Sequence, residues 1–94
     1  MKVELAPEAV EDLEAVVDSI KEKAPQAAAD LSDRVFAMIE HLAAGELDGP
    51  QQTLRSGEEV RSWPVPPLRI YYQRLDDRFL VLRIYHQARR PITR

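Results

Sequence analysis

The chain contains no cysteine and has only three glycines and two histidines among its 94 residues. Without cysteine there is no disulfide framework and no thiolate metal site, and the composition fits a reducing compartment, so we expect a cytoplasmic location. Three glycines leave no Gly-rich loop of the kind that cradles phosphate. His41 and His86 belong to no short-spaced ligand motif. The sequence therefore predicts neither a metal site nor a cofactor.

Long hydrophobic runs are also missing. The opening residues read MKVELAPEAVEDLEAVV, with acids close to the start and no uninterrupted apolar stretch. We therefore expect neither a secretory signal nor a membrane span. A length of 94 residues suffices for one modest core. We predict a single domain over residues 1–94 that makes no contact with a membrane.

Positive charge is scarce in the first half of the chain and negative charge is scarce in the second. Residues 1–54 hold four basic and twelve acidic side chains, giving 4 − 12 = −8. Residues 55–94 hold nine arginines, no lysine and four acids, giving 9 − 4 = +5, so the halves sum to −3. This segregation favours a surface for phosphates or for an acidic protein partner. The alternative is that opposite charges on packed elements neutralise each other.

Hydrophobic periodicity predicts one strand, two helices and then three strands. A two-residue period covers residues 1–5, and Pro7 and Pro25 each open a helix with apolar residues at three- and four-residue spacing. The two predicted stripes are Val10, Leu13, Val17 and Ile20, then Ala28, Leu31, Val35, Met38 and Leu42. Residues 46–57 carry turn chemistry, and strands are predicted over residues 60–65, 68–75 and 79–86. The β-α-α-β-β-β order predicts an α+β fold with a helical hairpin on one face of a mostly antiparallel sheet.

Side-chain alternation predicts which face of that sheet carries the arginines. The residues that should face the helices are Leu68, Ile70 and Tyr72 and the aliphatic set Leu80, Leu82 and Ile84. The outer face should then display Arg69, Tyr71, Gln73, Arg83 and Tyr85. Arginine and tyrosine together suit single-stranded RNA or an acidic peptide, and the alternative is ordinary cross-strand pairing on a solvated face.

His86 ends the last predicted strand with the parity of the core-facing set. Its near-neutral pKa suits general acid or base work. The alternative is a hydrogen-bonded structural histidine.

Three segments together resemble one protein family. They are Leu68-Arg69-Ile70-Tyr71-Tyr72, then Asp76 to Arg78, then Val81-Leu82-Arg83-Ile84-Tyr85-His86-Gln87-Ala88-Arg89. The opening Val3-Glu4-Leu5-Ala6-Pro7-Glu8-Ala9, before an acidic amphipathic helix, is similar as well. In order and content the set resembles the RelE/ParE superfamily of toxins from bacterial type II toxin–antitoxin modules.

The resemblance implies one of two toxic activities. A RelE-like member would cut mRNA on the ribosome, with Arg69 and Arg83 at the scissile phosphate and Tyr85 or His86 as acid or base. A ParE-like member would bind and inhibit DNA gyrase without catalysis, in a role such as plasmid stabilisation. The absence of lysine after Lys23 and the net acidic charge favour the ParE-like reading, because docking into ribosomal RNA draws on cationic charge. A third alternative is a non-toxic module that only binds an antitoxin.

Each of these readings implies a cognate antitoxin and a hetero-oligomeric complex with it. The residues expected to contact the target or the antitoxin are Arg61, Arg69, Tyr71, Arg83, Tyr85, Arg89 and Arg90. Phe36 and Ile39 lie outside the narrow apolar stripe of the second helix, so they are candidates for an antitoxin docking groove. The alternative is that both simply widen the core stripe.

Overall fold

The computed structural model describes residues 2–87, in which two helices pack on a five-stranded sheet. The elements are β1 (Lys2–Leu5), α1 (Pro7–Lys21), α2 (Pro25–Ala43), β2 (Gln51–Thr53), β3 (Glu59–Val65), β4 (Leu68–Arg74) and β5 (Arg78–His86). The predicted α+β fold is confirmed, with β2 as an addition to the predicted order. Arg89 and Arg90 lie outside the described residues. None of the helices in the described part of the chain is long and apolar enough to cross a bilayer.

Both helices begin at a proline, whose fixed φ suits a first helical position and whose missing N–H costs nothing there. The connection between them is short, so the helices form the predicted hairpin. After Ala43 the chain turns at Gly45, whose φ of 79° is the left-handed conformation typical of a residue just past a helix end. The helices therefore end where the sequence predicts.

The sheet is mixed, with the strand order β1-β5-β4-β3-β2. β1 runs parallel to β5, with Leu5 opposite Val81, and the remaining neighbours are antiparallel. β2 forms an exposed edge beside β3. Its three polar residues have no apolar alternation, which is why the sequence predicted only a turn there.

The main core lies between the hairpin and one face of the sheet. From α1 and α2 it takes Ala9, Leu13, Leu31, Val35, Ile39 and Leu42, and from β3, β4 and β5 it takes Val65, Leu68, Ile70, Tyr72, Phe79, Val81 and Ile84. The predicted inward face of β4 is confirmed. Val10 is a correction: it was placed in the core stripe of α1, but it is exposed.

A bulge in β5 reverses most of its predicted faces. Tyr71 lies opposite Arg83 and the next residue, Tyr72, lies opposite Val81, so Leu82 is an extra residue in β5. Before the bulge, Phe79 and Val81 face the helices, which is the opposite of the prediction. After it, Ile84 faces the helices as predicted. A single inserted position thus changes which side chains lie on each face.

The face of the sheet away from the helices carries a second apolar cluster. Leu54, Val60, Tyr71 and Leu82 are buried there, and Leu80 and Tyr85 pack against them. Leu80 and Leu82 therefore lie on the face away from the helices, and the prediction that they face the helices is wrong. Tyr71, predicted to be displayed, is 5% exposed. This face is more apolar and less accessible than the sequence suggested.

Candidate functional site

Arg83 is held by a carboxylate on α1. Its Nε donates to Asp12 Oδ2 at 2.8 Å and its Nη2 donates to Asp12 Oδ1 at 2.9 Å, which makes the ion pair bidentate. The Asp12 side chain is 10% exposed and that of Arg83 is 31% exposed. The guanidinium also lies over the Tyr85 ring, 4.8 Å from its centroid. Arg83 is therefore paired inside the molecule and does not point freely outward as predicted.

Asp12 reaches β5 because β1 is short. β1 ends at Leu5, where the N–H of Ala6 donates to the Val81 carbonyl oxygen at 2.9 Å, and α1 then passes beside the rest of β5. There Asp12 Oδ2 accepts from the N–H of Ile84 at 3.1 Å, the kind of bond that a longer β1 would have made. The hydrogen bond that Arg83 donates to Asp12 raises the pKa of Arg83 against the opposing effect of burial, so the guanidinium stays charged.

The candidate catalytic residues Arg69, Arg83, Tyr85 and His86 are not gathered around one point. Arg69 and Tyr85 are cross-strand partners on the face away from the helices, and the Tyr85 ring meets the Tyr71 ring edge-on at 5.6 Å. His86 instead lines an open pocket of about 440 Å³ beside α1 and Pro67. It therefore lies on the helix side of the sheet, as its parity predicted.

A separate polar cluster surrounds the end of α2. The Tyr72 hydroxyl donates to Asp48 Oδ1 at 2.5 Å and accepts from the Gly49 N–H at 2.8 Å. Gly49 is required at this position, since a Cβ would lie 1.7 Å from the carbonyl oxygen of Ser62. The buried phenol therefore fixes the segment that leads from α2 to the edge of the sheet.

Two arginines complete this cluster. Arg74 Nη2 donates to the carbonyl oxygens of Leu42 and Leu47 at 2.5 and 3.1 Å, which satisfies acceptors near the α2 C-terminus. Arg61 donates to the Gly49 carbonyl oxygen at 2.8 Å and lies 3.4 Å from Asp48 Oδ2. Arg61, a predicted contact residue, thus has an internal structural role in addition to any external one.

The pKa shifts in this cluster fit a structural role. Burial raises the pKa of Asp48, but the hydrogen bond from Tyr72 and the charges of Arg74 and Arg61 outweigh it, so the net pKa is lowered. Burial, and then the bond to Asp48, raise the pKa of Tyr72. Neither group changes its charge near neutral pH, so neither suits general acid–base work there.

The sequence argument did not predict this cluster, although it placed Tyr72 on the core-facing side and named Arg61 as a contact residue. Tyr72 carried a usable signal, because a tyrosine facing the core needs a hydroxyl partner. Asp48, like Asp12 and Arg74, carried none.

The outer seam of the helical hairpin forms an apolar groove, which we call the hairpin groove. Two adjoining depressions of about 250 and 310 Å³ share Val17 and Ser32. The lining residues are Leu5, Val10, Leu13, Glu14, Val17, Asp18 and Lys21 on one side and Pro25, Ala28, Ala29, Ser32, Asp33 and Phe36 on the other.

The two candidate docking residues separate at this groove. Phe36 is 45% exposed and lines the groove, whereas Ile39 is 1% exposed in the core. The docking interpretation thus fits Phe36, and the wider core stripe fits Ile39. Within residues 2–87, no three potential metal-ligating side chains come together.

Comparisons with known proteins identify the family. A family model described as the ParE toxin of the type II toxin–antitoxin system, parDE, matches residues 3–91. The fold is similar to a solved structure of the chromosomal ParDE TA system from P. aeruginosa, with a TM-score of 0.74 and 19% identity over 92% of this chain and 95% of that one. No curated protein matches the sequence. Because the family model spans nearly the whole chain, the protein belongs to the ParE toxin family of type II toxin–antitoxin systems.

Proposed function

We propose that this protein inhibits growth by binding a cellular target, with DNA gyrase as the first candidate, and that a cognate antitoxin neutralises it. The observation that carries the binding role is the pair between Arg83 and Asp12. It occupies the guanidinium that a nuclease would need at the scissile phosphate. The protein would act in the cytoplasm, where gyrase and its DNA are found, in a role such as plasmid stabilisation.

Cleavage of RNA would require a base, an acid and cations around a single phosphate. Arg83 is engaged by a carboxylate, which would also repel a phosphate at that position. His86 lies on the opposite side of the sheet from Arg69 and Tyr85. Both features favour a toxin that binds its target over one that cleaves RNA.

Arg69 is the strongest candidate for target contact among the residues suggested by the sequence. It is half-buried beside Tyr85, and its guanidinium makes no hydrogen bond or ion pair within residues 2–87. Tyr71 is too buried to offer much contact area, and Arg61 and Arg83 are already paired. A guanidinium next to a partly exposed tyrosine suits an acidic protein surface.

Purified protein added to gyrase and relaxed plasmid DNA should abolish supercoiling, while primer extension on cellular mRNA should reveal no codon-phased cuts. Arg69→Glu should weaken inhibition about tenfold or more, because it reverses a charge at the proposed contact. Arg34→Glu makes the same charge change on exposed α2 and should leave inhibition unchanged. Unimpaired supercoiling together with codon-phased mRNA cuts would sink the gyrase proposal.

Neutralisation is tested by growth. Expression of this chain alone should stop growth, and co-expression with the product of the adjacent antitoxin frame should restore it. Normal growth with folded protein present would instead support the non-toxic binding module.

A further inference from the structure

We propose that Asp12 is a specificity-determining residue, which keeps the face of the sheet away from the helices from binding the phosphodiester groups of nucleic acid. Its carboxylate occupies the place on Arg83 that a phosphate would take. This role rests on the binding function proposed above for the same face. It adds the reason why a toxin surrounded by DNA and RNA would remain available for a protein target.

Two arginines and a tyrosine are neighbours on this face. Arg69 on β4 lies opposite Tyr85 on β5, and Arg83 precedes Tyr85 by two residues on the same strand. Diagonal neighbours of this kind are about 7–8 Å apart, within the combined reach of two arginine side chains. The Arg83 guanidinium lies 4.8 Å from the centroid of the partly exposed Tyr85 ring. Two guanidinium groups beside a ring on which a base can stack would suit single-stranded nucleic acid.

Asp12 removes one of these two cations from the face. It accepts both hydrogen bonds from the Arg83 fork, at 2.8 and 2.9 Å, and a guanidinium binds phosphate in the same bidentate manner. The Ile84 N–H donates to the same carboxylate at 3.1 Å. A phosphate could therefore reach Arg83 only by displacing a carboxylate that three hydrogen bonds hold in place.

A second carboxylate on α1 adds to this exclusion. The pKa of Arg83 is raised first by its hydrogen bond to Asp12 and, more weakly, by the charge of Glu8, which lies one turn earlier on the helix. A phosphate near Arg83 would thus be repelled by both acids. The cation that remains is Arg69. A single guanidinium gives little affinity for nucleic acid, because that affinity grows with the number of phosphates neutralised.

Fluorescence anisotropy with a labelled single-stranded oligodeoxynucleotide of about eight nucleotides tests the role of Asp12. Glu8→Gln/Asp12→Asn should bind this probe about tenfold or more tightly than the wild type, because Arg83 becomes available to phosphate. The matched control, Glu8→Gln/Glu11→Gln, makes the same change in net charge on the same helix, but at the exposed Glu11. It should bind close to the wild-type level, because Asp12 still occupies Arg83.

A third variant identifies the cation that is released. Arg83→Gln added to Glu8→Gln/Asp12→Asn should return binding to the wild-type level. A gain that persists without Arg83, or that is equally large in the control, would overturn the proposal, and so would the absence of any gain. Circular dichroism establishes that each variant is folded. Glu8→Gln/Asp12→Ser removes the same carboxylate without adding volume, so it replaces the first variant if that one is unfolded, and the same tenfold gain is expected.

The binding assay contains no gyrase, so the role of Asp12 and the proposed target can fail separately. Wild-type protein that inhibits supercoiling, together with variants that gain no affinity for the oligonucleotide, would reject the role of Asp12 alone. A gain that depends on Arg83, together with unimpaired supercoiling, would support the role of Asp12 and reject gyrase as the target. Wild-type protein that binds the oligonucleotide as tightly as the first variant and leaves supercoiling unimpaired would reject both.

Discussion

Tyr72 contributes both to the apolar core and to a buried polar contact. Its ring stacks on Phe79 in the main core, with centroids 4.8 Å apart, while its hydroxyl joins Asp48 to the backbone of Gly49. The guanidinium of Arg74 lies 5.7 Å from the ring centroid. The side chain thus links core packing to the polar cluster at the end of α2.

We predict that Tyr72→Phe destabilises the protein by about 1–3 kcal/mol, because the buried Gly49 N–H loses its acceptor. Urea unfolding followed by circular dichroism measures the change. The matched control is Tyr71→Phe, which removes from a buried tyrosine of the same strand a hydroxyl that makes no hydrogen bond within residues 2–87. The control should change the free energy of unfolding by less than about 0.5 kcal/mol. Equal losses in both variants would contradict the role given to the Tyr72 hydroxyl.

At the level of single residues, the sequence singles out candidate side chains but not the residues that pair with them in the fold. Arg83 was identified as a functional candidate from its place in the strand, but nothing in the pattern indicated that Asp12, 71 residues away, would pair with it. Such a pairing depends on where β1 stops and how α1 crosses the sheet. Periodicity carries no information on either point.

At the scale of elements, α2 presents two apolar residues with opposite roles. Phe36→Ala should lower the free energy of unfolding by less than about 1 kcal/mol, since the ring is already half in water. The same change should weaken antitoxin binding about tenfold or more, because an aromatic anchor is lost from the groove. Ile39→Ala should instead cost about 2–5 kcal/mol of stability, because it leaves a cavity in the core.

Thermal unfolding and titration calorimetry with the antitoxin separate these effects. At a temperature where both variants are folded, Ile39→Ala should bind like the wild type. A loss of affinity in Ile39→Ala equal to that in Phe36→Ala would count against the assignment of the two residues.

The order of the elements was predictable because long periodic segments and their proline and glycine boundaries specify it. The helices and β1, β3, β4 and β5 all have such signals. β2 does not, and neither does the extra residue at Leu82. Because side chains alternate with a period of two, one inserted residue reverses the assignments on one side of it, here those of the residues up to the bulge. Side-chain alternation alone therefore could not predict which residues of β5 face the helices.

At the scale of the whole molecule, the polar cluster at the end of α2 predicts a contribution to the pH dependence of stability. The pKa of Asp48 is lower in the folded state than its ordinary value of 3.8. The unfolded chain therefore binds the proton more readily, and ionised Asp48 stabilises the fold above that value. This contribution is lost as the pH falls through the lowered folded-state pKa.

We predict that Asp48→Asn flattens the acid limb of the stability curve. Between about pH 5 and pH 2, the free energy of unfolding of the wild type should fall more steeply than that of the variant. Asp76→Asn, in the exposed turn between β4 and β5, should keep the wild-type slope. Parallel acid limbs for wild type and Asp48→Asn in urea titrations would refute the prediction.

Ion pairs within the fold neutralise several of the charges that are segregated along the chain. Acids of the first half meet arginines of the second in the pairs Asp12–Arg83, Asp48–Arg61, Asp48–Arg74 and Glu4–Arg78. Neutralisation between packed elements, one of the two alternatives raised by the sequence, thus accounts for much of the asymmetry. The acids of the hairpin groove and Arg69 are among the charged residues that form no ion pair within residues 2–87.

The contact between Asp12 and the N–H of Ile84 also affects how the molecule behaves in a crowded solution. A strand whose edge is only half covered by a neighbour offers free donors that can template pairing with another chain, which is a common start of aggregation. On β5, the donor of Ile84 beyond the end of β1 is already occupied by a carboxylate. An incoming strand would have to displace Asp12 and leave Arg83 unpaired. The same carboxylate that holds the arginine therefore also closes this edge to strand addition.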